Sequence, residues 1–286
     1  MQEALLLSGA DGFTGKHFQR VAAQAGYRVL ALRSDLRDAD ALMQEVAKQR
    51  PAVVVHLGAI SAVTHADELA FYQVNLLGTR NLLTALRAQD DPPHKVVLAS
   101  SANIYGNSPN SPIAEDAPPA PVNHYAMSKL AMEMMSREFS SDLPLVIARP
   151  FNYTGVGHDE RFVVPKIVRH FRQRSARIEL GNMNVEREFN DVRDVCNIYL
   201  RLLQQGAAGE TYNICSGQTH SLQHVIDELT RLTGHSMQVD VNPDFVRANE
   251  VQRLCGCNAK LESCIGATAH RELADTLSWM LADTDS

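Results

Sequence analysis

Residues 4–15 read ALLLSGADGFTG, and this stretch decides the fold. An apolar run leads straight into Gly9, Gly12 and Gly15, and an amphipathic pattern follows to about Ala25. A buried strand, a glycine-rich turn and a helix in this order bring backbone N–H groups and a helix N-terminus close to a pyrophosphate. Glycine triplets also occur in plain turns, but this position between a strand and a helix favours a dinucleotide cofactor.

The second strand indicates which cofactor is bound. It runs over Arg28–Leu32, and Arg33 and then Asp35 and Leu36 follow it. Dinucleotide folds often place an acid at the end of this strand to hold the ribose 2′-hydroxyl, whereas a guanidinium there can pair with a 2′-phosphate. We therefore expect NADP(H) to be preferred, with NAD(H) as the other option. The alternative is that Arg33 is an exposed side chain at the start of a loop.

Strand and helix patterns alternate through the first half of the chain, without internal repeats. Further strands and helices are predicted at Val53–Leu57, Lys95–Ala99 and Leu145–Arg149, and at Ala39–Gln49 and Asp67–Arg87. This alternation predicts an α/β fold, a Rossmann-like doubly wound parallel sheet. His56, inside one of these strands, is interpreted as a packed residue and not as a catalyst.

The strict alternation loosens beyond Pro150. We expect residues 1–150 to form the dinucleotide-binding domain, and residues 151–286 to form mainly a smaller mixed α/β substrate lobe, with some segments returning to the core. The elements predicted in this half are helices at Phe162–Arg172, Val192–Gln204, Leu222–Leu232 and Arg271–Leu281, and strands at Ile178–Leu180, Thr211–Ile214 and Gln238–Val241.

Composition narrows the function classes. The 286 residues carry a formal net charge of -6 and no long basic run, which disfavours a nucleic-acid partner. No stretch approaches a membrane span, and the N-terminal apolar run is too short for a signal peptide. The five cysteines lack zinc-ligand spacing, so we expect reduced thiols, no metal site and a cytoplasmic protein.

Residues 123–129 read NHYAMSK and open a helical pattern. Tyr125 and Lys129 are four residues apart, so on a helix they can point into one pocket. A free tyrosine, with a pKa near ~10, is a weak acid–base catalyst at neutral pH, and an ammonium group beside it would lower that pKa. Exposed lysines near half-buried tyrosines give the same spacing. The preceding residues 107–122 are rich in proline and serine, and we expect an ordered loop over the site.

Together, the motifs resemble those of the extended short-chain dehydrogenases/reductases of the nucleotide-sugar branch, over nearly the whole chain. The matching pieces, in order, are Gly9-x-x-Gly12-Phe13-x-Gly15, His56-Leu57-Gly58-Ala59, Asn75-x-x-Gly78-Thr79, Ser100-Ser101-x-x-x-Tyr105-Gly106, Tyr125-x-x-x-Lys129 and Arg149-Pro150-Phe151-Asn152. Pieces in the second half are similar to those of GDP-mannose 4,6-dehydratases and GDP-4-keto-6-deoxymannose reductases, namely Phe162–Lys166, Glu186–Phe189, Asp191–Val195 and Tyr212–Gly217.

The resemblance implies a role for each matching residue. Tyr125 would exchange a proton with a sugar oxygen, Lys129 would lower its pKa and hold the nicotinamide ribose, and Ser101 would hydrogen-bond the same sugar oxygen. The implied cofactor residues are Gly9, Asp11, Gly12, Phe13, Gly15, Arg33, Asp35, Leu36, Leu57, Gly58, Ala59, Asn75, Ser100, Tyr125 and Lys129. The implied nucleotide-sugar residues are Ser101, Asn103, Asn152, Val163, Lys166, Arg187 and Arg247. For the three cations among these, surface ion pairs are the alternative.

One departure from the family pattern bears on the reaction. Dehydratases carry a carboxylate two residues after the serine, because removing water from C5 and C6 of the sugar needs a further acid–base group. Asn103 stands at that position here, and an amide is neither a useful general acid nor a useful general base at neutral pH. Dehydration is therefore disfavoured. If it did occur, Glu115 or Glu133 would be the nearest acids.

The resemblance leaves 4-keto reduction or epimerisation as the reaction. We expect a homodimeric enzyme that reduces a nucleotide-linked 4-keto-6-deoxyhexose with NADP(H), with GDP-4-keto-6-deoxy-D-mannose to GDP-D-rhamnose as the first choice. The alternative is a nucleotide-sugar 4-epimerase with tightly bound NAD. A non-catalytic dinucleotide-binding redox sensor is disfavoured, because a sensor has no need of Ser101, Tyr125 and Lys129 together.

Overall fold

The computed structural model describes residues 2–62, 66–245 and 251–283. The strands within these ranges are β1 (Ala4–Ser8), β2 (Arg28–Ala31), β3 (Val53–His56), β4 (Lys95–Ala99), β5 (Leu145–Pro150), β6 (Tyr153–Thr154), β7 (Arg177–Leu180), β8 (Glu186–Arg187), β9 (Asn190–Asp191), β10 (Thr211–Ile214), β11 (His220–Ser221), β12 (Gln238–Val241) and β13 (Arg253–Leu254). The α-helices are α1 (Phe13–Gln24), α2 (Ala39–Gln49), α3 (Glu68–Phe71), α4 (Thr79–Arg87), α5 (His124–Ser136), α6 (Val163–Arg172), α7 (Val192–Gln205), α8 (Leu222–Thr233), α9 (Ala259–Ile265) and α10 (Leu273–Ala282).

Six strands form one parallel sheet in the order β10-β5-β4-β3-β1-β2. Helices cover both faces, so the predicted doubly wound parallel sheet is confirmed. Along β1 the side chains alternate between the faces as the period of a strand requires. Leu5 and Leu7 pack in the apolar cluster that contains Phe18, and Leu6 packs in the opposite cluster that contains Met132.

The chain returns to this sheet after residue 150. Strand β10 pairs with β5 as the last strand on one side, and α7 packs beside α1 on one face. The buried Tyr199 and Leu202 of α7 belong to the same apolar cluster as Phe18. Residues from both halves of the sequence therefore build the sheet core.

A second apolar cluster lies in the region of α6, α8 and α10. Phe171, Leu229 and Leu277 pack there, together with Ile178 and Leu180 of β7. Strand β7 pairs in parallel with β12. This cluster gives the C-terminal half its own packed unit, beyond the elements that lie on the main sheet.

The helix predicted at Asp67–Arg87 differs from the observed one. A π-helical segment, Tyr72–Gly78, separates α3 from α4. Gly78 lies against Leu36, whose Cβ would be 2.7 Å from a side-chain Cβ at that position. Short π-helical segments carry an extra residue per turn and often occur at functional sites. Here the segment turns the Asn75 side chain inward, to the loop that follows β3.

Two further predictions concern the oxidation state of the cysteines and the presence of membrane-spanning helices. All five cysteines are free thiols, as predicted. Among the described residues, no helix combines the length and the apolar character needed to cross a bilayer.

Candidate active site

Helix α5 presents three polar side chains at successive turns of one face. Tyr125, Lys129 and Glu133 are four residues apart, and their exposed fractions are only 9%, 4% and 4%. The helix begins where the side chain of Asn123 accepts a hydrogen bond from the backbone N–H of Ala126, at 2.9 Å. Such a cap satisfies a free N–H at the helix start and fixes where the face points. The predicted common pocket for Tyr125 and Lys129 thus has a structural basis.

The Tyr125 phenol lies beside Ser101, which follows the carboxyl end of β4. Burial raises the pKa of Tyr125, and the hydrogen bond with the Ser101 side chain opposes this effect. Desolvation therefore moves this pKa in the direction opposite to the expected effect of Lys129, because burial disfavours the phenolate. The effect of Lys129 itself stays a prediction. A phenol that stays protonated is suited to donating a proton.

Lys129 is held under the end of the sheet. Its Nζ donates a hydrogen bond of 2.8 Å to the carbonyl oxygen of Ala99. Burial lowers the pKa of Lys129 to about 8, although the negative charge of Glu133 opposes this shift. At neutral pH the ammonium form still predominates.

Glu133 and Arg149 form a buried ion pair beneath Lys129. The guanidinium donates from Nε and Nη2 to the two carboxylate oxygens at 3.0 and 2.7 Å, and from Nη1 to the Tyr105 hydroxyl at 2.7 Å. Burial would lower the pKa of Arg149, but hydrogen bonds to Glu133 raise it. Sequence reasoning missed this pair. The signal was the position of Glu133, one further helical turn along the face of Lys129.

Glu115 and Glu133, the two carboxylates that could replace the missing acid in dehydration, both hydrogen-bond other groups of the protein. Glu133 is held by Arg149, and Oε1 of Glu115 accepts a hydrogen bond from the backbone N–H of Asn213 at 2.8 Å. Asn103 lies beside Ser101, and its Nδ2 donates to the Ser101 Oγ at 3.1 Å. The groups next to the Ser101 hydroxyl therefore favour proton donation to one oxygen over removal of water.

The loop over the site is ordered, as expected for residues 107–122. Ile113 exchanges backbone hydrogen bonds of 2.8 Å with Cys255 and Cys257, and Ala120 donates to the Ile104 carbonyl at 2.9 Å. These contacts tie the loop both to the turn after β4 and to the C-terminal half.

The glycine-rich loop fits a pyrophosphate. Gly9 has a positive φ of 70°, and a Cβ there would lie 2.8 Å from the backbone nitrogen of Gly58. A Cβ on Gly15 would lie 2.1 Å from the Gly9 carbonyl oxygen, so α1 packs directly on the loop. Helix α1 follows Gly12 with no side-chain cap and no acidic residue in its first turn, which leaves its N–H groups suited to an anion. Phe13, the first residue of α1, stacks on His158 with ring centroids 4.3 Å apart.

The turn after β3, residues 57–59, faces this loop. Ser8 accepts a hydrogen bond from the Gly58 N–H at 3.0 Å, and His56 contacts both Ser8 and Thr79. His56 is a packed residue, as interpreted, and burial lowers its pKa to about 3. Asn75 holds the N–H and carbonyl of Ile60, next to Ala59, at 2.8 and 3.1 Å. The turn is therefore fixed before any cofactor binds.

Ser100 carries a buried hydroxyl group that is suited to hydrogen-bonding a ligand. Its exposed fraction is 3%, and its Oγ has no hydrogen-bond partner among the described residues. Buried hydroxyl groups are almost always paired. Because Ser100 follows β4 at the edge where ligands bind in parallel sheets, this group fits a bound dinucleotide.

Arg33 lies at the end of β2, as predicted, and contacts the glycine-rich loop. Its Nη1 is 2.6 Å from Oδ2 of Asp11, and both side chains are mostly exposed. Asp35 pairs with Arg37 at 2.5 Å, and hydrogen bonds from Arg37 lower the pKa of Asp35 to about 2. Leu36 packs against Gly58 and Gly78. Contact of Arg33, Asp35 or Leu36 with a cofactor stays a prediction.

Five of the seven predicted sugar-binding residues lie in the C-terminal half, and the two described cations among them hydrogen-bond other groups of the protein. The Lys166 Nζ donates to the Glu179 carbonyl at 2.7 Å. Arg187 donates to the backbone carbonyls of Glu186, Val251 and Gln252. Contact of these two cations with a phosphate stays a prediction, and Arg247 lies outside the described residues.

Two other predicted sugar-binding residues, Asn152 and Val163, lie after β5 and at the start of α6. Asn152 follows β5, and its buried Oδ1 has no hydrogen-bond partner among the described residues. Val163 is the first residue of α6 and follows Phe162, whose ring lies against His158 with centroids 4.3 Å apart and a tilt of 31°. His158, which contacts both Phe13 and Phe162, was missed from the sequence, since these ring contacts form only in the folded chain.

Comparison with known proteins places the site in context. The sequence profile of the NAD dependent epimerase/dehydratase family matches residues 5–215. The GDP-6-deoxy-D-mannose reductase of Pseudomonas aeruginosa is 34% identical over 301 residues, covering 100% of this chain and 98% of that protein. The GDP-6-deoxy-D-talose 4-dehydrogenase of Aggregatibacter actinomycetemcomitans is 32% identical over 267 residues, covering 92% of this chain and 91% of that protein.

Two solved structures superimpose on this chain over nearly its whole length, and one of them, from Burkholderia cenocepacia, is named as an epimerase. A Pseudomonas aeruginosa protein in complex with NADPH superimposes with a TM-score of 0.89 at 33% identity, covering 99% of this chain and 97% of that one. A Burkholderia cenocepacia protein superimposes with a TM-score of 0.92 at 43% identity, covering 98% of this chain and 97% of that one.

Proposed function

This chain belongs to the NAD-dependent epimerase/dehydratase family, and on that premise we propose that it reduces a nucleotide-linked 4-keto-6-deoxyhexose with NADP(H). The first choice of reaction is GDP-4-keto-6-deoxy-D-mannose to GDP-D-rhamnose. The observation that carries the proposal is a complete Ser101, Tyr125 and Lys129 set beside Asn103, with no uncommitted carboxylate next to it among the residues described above.

The proposed chemistry needs one proton from the protein. When bound, the nicotinamide supplies a hydride to C4 of the sugar. Tyr125 donates its proton to the C4 oxygen as the carbonyl π bond breaks, and the phenolate left behind regains a proton from solvent. Ser101 donates a hydrogen bond to the same oxygen, which stabilises the developing negative charge. The ammonium of Lys129 stabilises the transient phenolate.

The names of the relatives support the substrate class. The Pseudomonas aeruginosa relative is named as a GDP-6-deoxy-D-mannose reductase. The Aggregatibacter actinomycetemcomitans relative is named as a GDP-6-deoxy-D-talose 4-dehydrogenase. These two sugars differ only in the configuration at C4, so both names are consistent with a GDP-linked sugar that carries a keto group at C4. The match to the mannose enzyme spans the full chain, and for this reason we propose GDP-D-rhamnose as the product.

Two observations support NADP(H) as the cofactor. The Pseudomonas aeruginosa relative was solved with NADPH, and Arg33 stands at the end of β2 where a 2′-phosphate would lie. A phosphate would compete with Asp11 for the exposed guanidinium. The unpaired hydroxyl of Ser100 and the open N-terminus of α1 would receive other parts of the same ligand.

We further propose that the protein is a homodimer in a reducing compartment. Helix α3, the π-helical segment and α5 pack together and carry four of the large exposed apolar side chains, Leu69, Leu77, Met127 and Met134. Exposed apolar groups on adjacent helices favour burial against another protein surface. The five free cysteines support a cytoplasmic location.

The test is an assay with purified protein, NADPH and GDP-4-keto-6-deoxy-D-mannose, with the UDP-linked keto sugar as the matched control. We expect NADPH oxidation in step with formation of GDP-D-rhamnose, and much slower turnover of the UDP compound. Interconversion of GDP-hexoses without net NADPH use, by protein that retains NAD through purification, would show an epimerase instead and overturn the proposal.

A further inference from the structure

The hydroxyl group of Ser101 receives two hydrogen bonds from a single residue. The backbone N–H of Asn103 donates to the Ser101 Oγ at 3.2 Å, and the Asn103 Nδ2 donates to it at 3.1 Å. Ser101 is buried, with an exposed fraction of 4%. The turn that follows it, Ala102–Tyr105, is fixed by backbone hydrogen bonds from Ile104 to Ser101 and from Gly106 to Asn103. The geometry of these contacts is therefore set by the backbone.

A serine hydroxyl can accept two hydrogen bonds and donate one. With both acceptor positions filled by Asn103, the hydroxyl proton has to point away from that residue. The Ser101 side chain lowers the pKa of the Tyr125 phenol, which is the effect expected of a hydroxyl that donates towards the phenolate. In the substrate complex, the C4 oxygen of the sugar would take this donor.

We propose that Asn103 is a positioning residue that fixes the Ser101 hydroxyl as a donor towards the Tyr125 phenol and the sugar C4 oxygen. The inference rests on the proposed ketone reduction and deepens it. Asn103 was expected to touch the sugar, whereas the structure directs its amide at Ser101. Its contribution to catalysis would then act through Ser101.

An amide at position 103 is compatible with this arrangement and an ionised carboxylate is not, because the carboxylate can only accept hydrogen bonds. A carboxylate at position 103 would take the proton of Ser101 and turn the hydroxyl away from the sugar. It would also place a negative charge beside the oxygen that becomes an alkoxide during reduction. Replacing carboxylate by amide thus removes the acid needed for dehydration and orients a donor needed for reduction.

Several ionisable groups lie around the turn Ala102–Tyr105, and each could contribute to a pH profile. The turn packs against α5, which carries Tyr125, Lys129 and Glu133. Its last residue, Tyr105, contacts Arg149, which in turn binds the Glu115 backbone. The single substitutions at Asn103 alter none of these side chains, so a new titration in those variants has to come from residue 103.

The first experiment compares Asn103→Asp, which has nearly the same shape, with Asn103→Ala. We expect Asn103→Asp to lower kcat by roughly 10²-fold at neutral pH, as loss of an oxyanion-stabilising donor does. We expect Asn103→Ala to lose less than roughly tenfold, because the backbone N–H remains. Asn110→Asp, an exposed site in the 107–122 loop, adds the same charge as a control and should leave kcat unchanged.

The pH dependence separates positioning from a structural role. As pH falls through the pKa of the new aspartate, its carboxyl group becomes a donor again, so the activity of Asn103→Asp relative to the wild type should rise. The same ratio should stay flat for Asn103→Ala. A ratio for Asn103→Asp that is flat with pH, with a loss no larger than that of Asn103→Ala, would overturn the inference.

A second readout needs no substrate. The pKa of Tyr125 can be measured from phenolate absorbance, as the difference between each protein and its Tyr125→Phe counterpart. Losing the Ser101 donor should raise this pKa in Asn103→Asp above that in Asn103→Ala. Equal Tyr125 pKa values in the two variants would contradict the inference even if the wild type reduces the keto sugar, whereas a wild type with no ketone reduction would refute the proposed function itself.

Discussion

The sheet edge and the C-terminal half hold their polar side chains in different ways. At the sheet edge, Lys129 is fixed by the Ala99 carbonyl and Asn75 by both backbone groups of Ile60, so these anchors come from regular elements and the turns that end them. In the C-terminal half, Lys166 and Arg187 bind backbone carbonyls in their own lobe. The catalytic groups are thus preorganised, whereas a substrate phosphate would have to replace intramolecular partners of the cations.

Disrupting the Glu133–Arg149 ion pair beneath the site should have the largest effect on this preorganisation. Glu133→Gln leaves the buried Arg149 guanidinium without its counter-charge, and we expect a loss of about 3–5 kcal/mol in the free energy of unfolding. The matched control is Glu138→Gln, an exposed glutamate just after α5, which should change it by less than about 0.5 kcal/mol. Urea denaturation of the three proteins provides the comparison, and equal stabilities would show that the pair is not a support.

The catalytic phenol is the next target. Tyr125→Phe keeps the ring packed against Phe71 but removes the proton donor, so we expect turnover to fall by at least roughly 10²-fold with little change in NADPH affinity. Steady-state kinetics and calorimetric titration with NADPH measure the two quantities. Near-normal turnover in the phenylalanine variant would remove Tyr125 from the mechanism.

Cofactor choice tests an exposed contact at the edge of the same sheet. Arg33→Ala should weaken NADP binding roughly tenfold more than NAD binding, since a charge-assisted pair with the 2′-phosphate is lost. Arg28→Ala, at the opposite end of the same strand, is the control and should leave the ratio of the two affinities unchanged. If both cofactors lose affinity equally in Arg33→Ala, Arg33 does not select the phosphate.

The smallest expected effect is a decrease of kcat/KM at alkaline pH. Burial lowers the pKa of Lys129 to about 8, so the ammonium is present below this pH and is lost as the pH rises through it. We expect kcat/KM for ketone reduction to fall roughly fourfold between about pH 7 and 8.5, as for a single group with this pKa. Because Glu133 raises the pKa of Lys129, this decrease should move to lower pH in Glu133→Gln. A flat profile to pH 9 in the wild type would contradict this role of Lys129.

The sequence predicts the regular elements well because apolar periodicity encodes them directly. The predicted bounds of Ala39–Gln49, Thr211–Ile214 and Gln238–Val241 are those observed. The π-helical segment at Tyr72–Gly78 was not predictable, since a 3.6-residue pattern does not mark the one extra residue that such a segment inserts.

The site shows the same division. Ser101, Tyr125 and Lys129 could be brought together from sequence, because carboxyl ends of parallel strands and one face of a helix converge. The direction in which the pKa of Tyr125 is shifted could not be predicted from sequence, since it depends on burial that only the folded chain creates. Partners of long cationic side chains, such as Arg187 on the carbonyl of Gln252, depend on tertiary contacts in the same way.

The most direct test of the account follows deuterium from the cofactor into the sugar. Protein is incubated with GDP-4-keto-6-deoxy-D-mannose and NADPH deuterated at C4 of the nicotinamide, and in parallel with GDP-mannose and NADP. The account predicts a GDP-6-deoxyhexose that carries one deuterium at C4 in the first incubation, and unchanged GDP-mannose in the second. A product without deuterium in the first incubation, or loss of water from GDP-mannose in the second, would contradict the assignment of this site to ketone reduction.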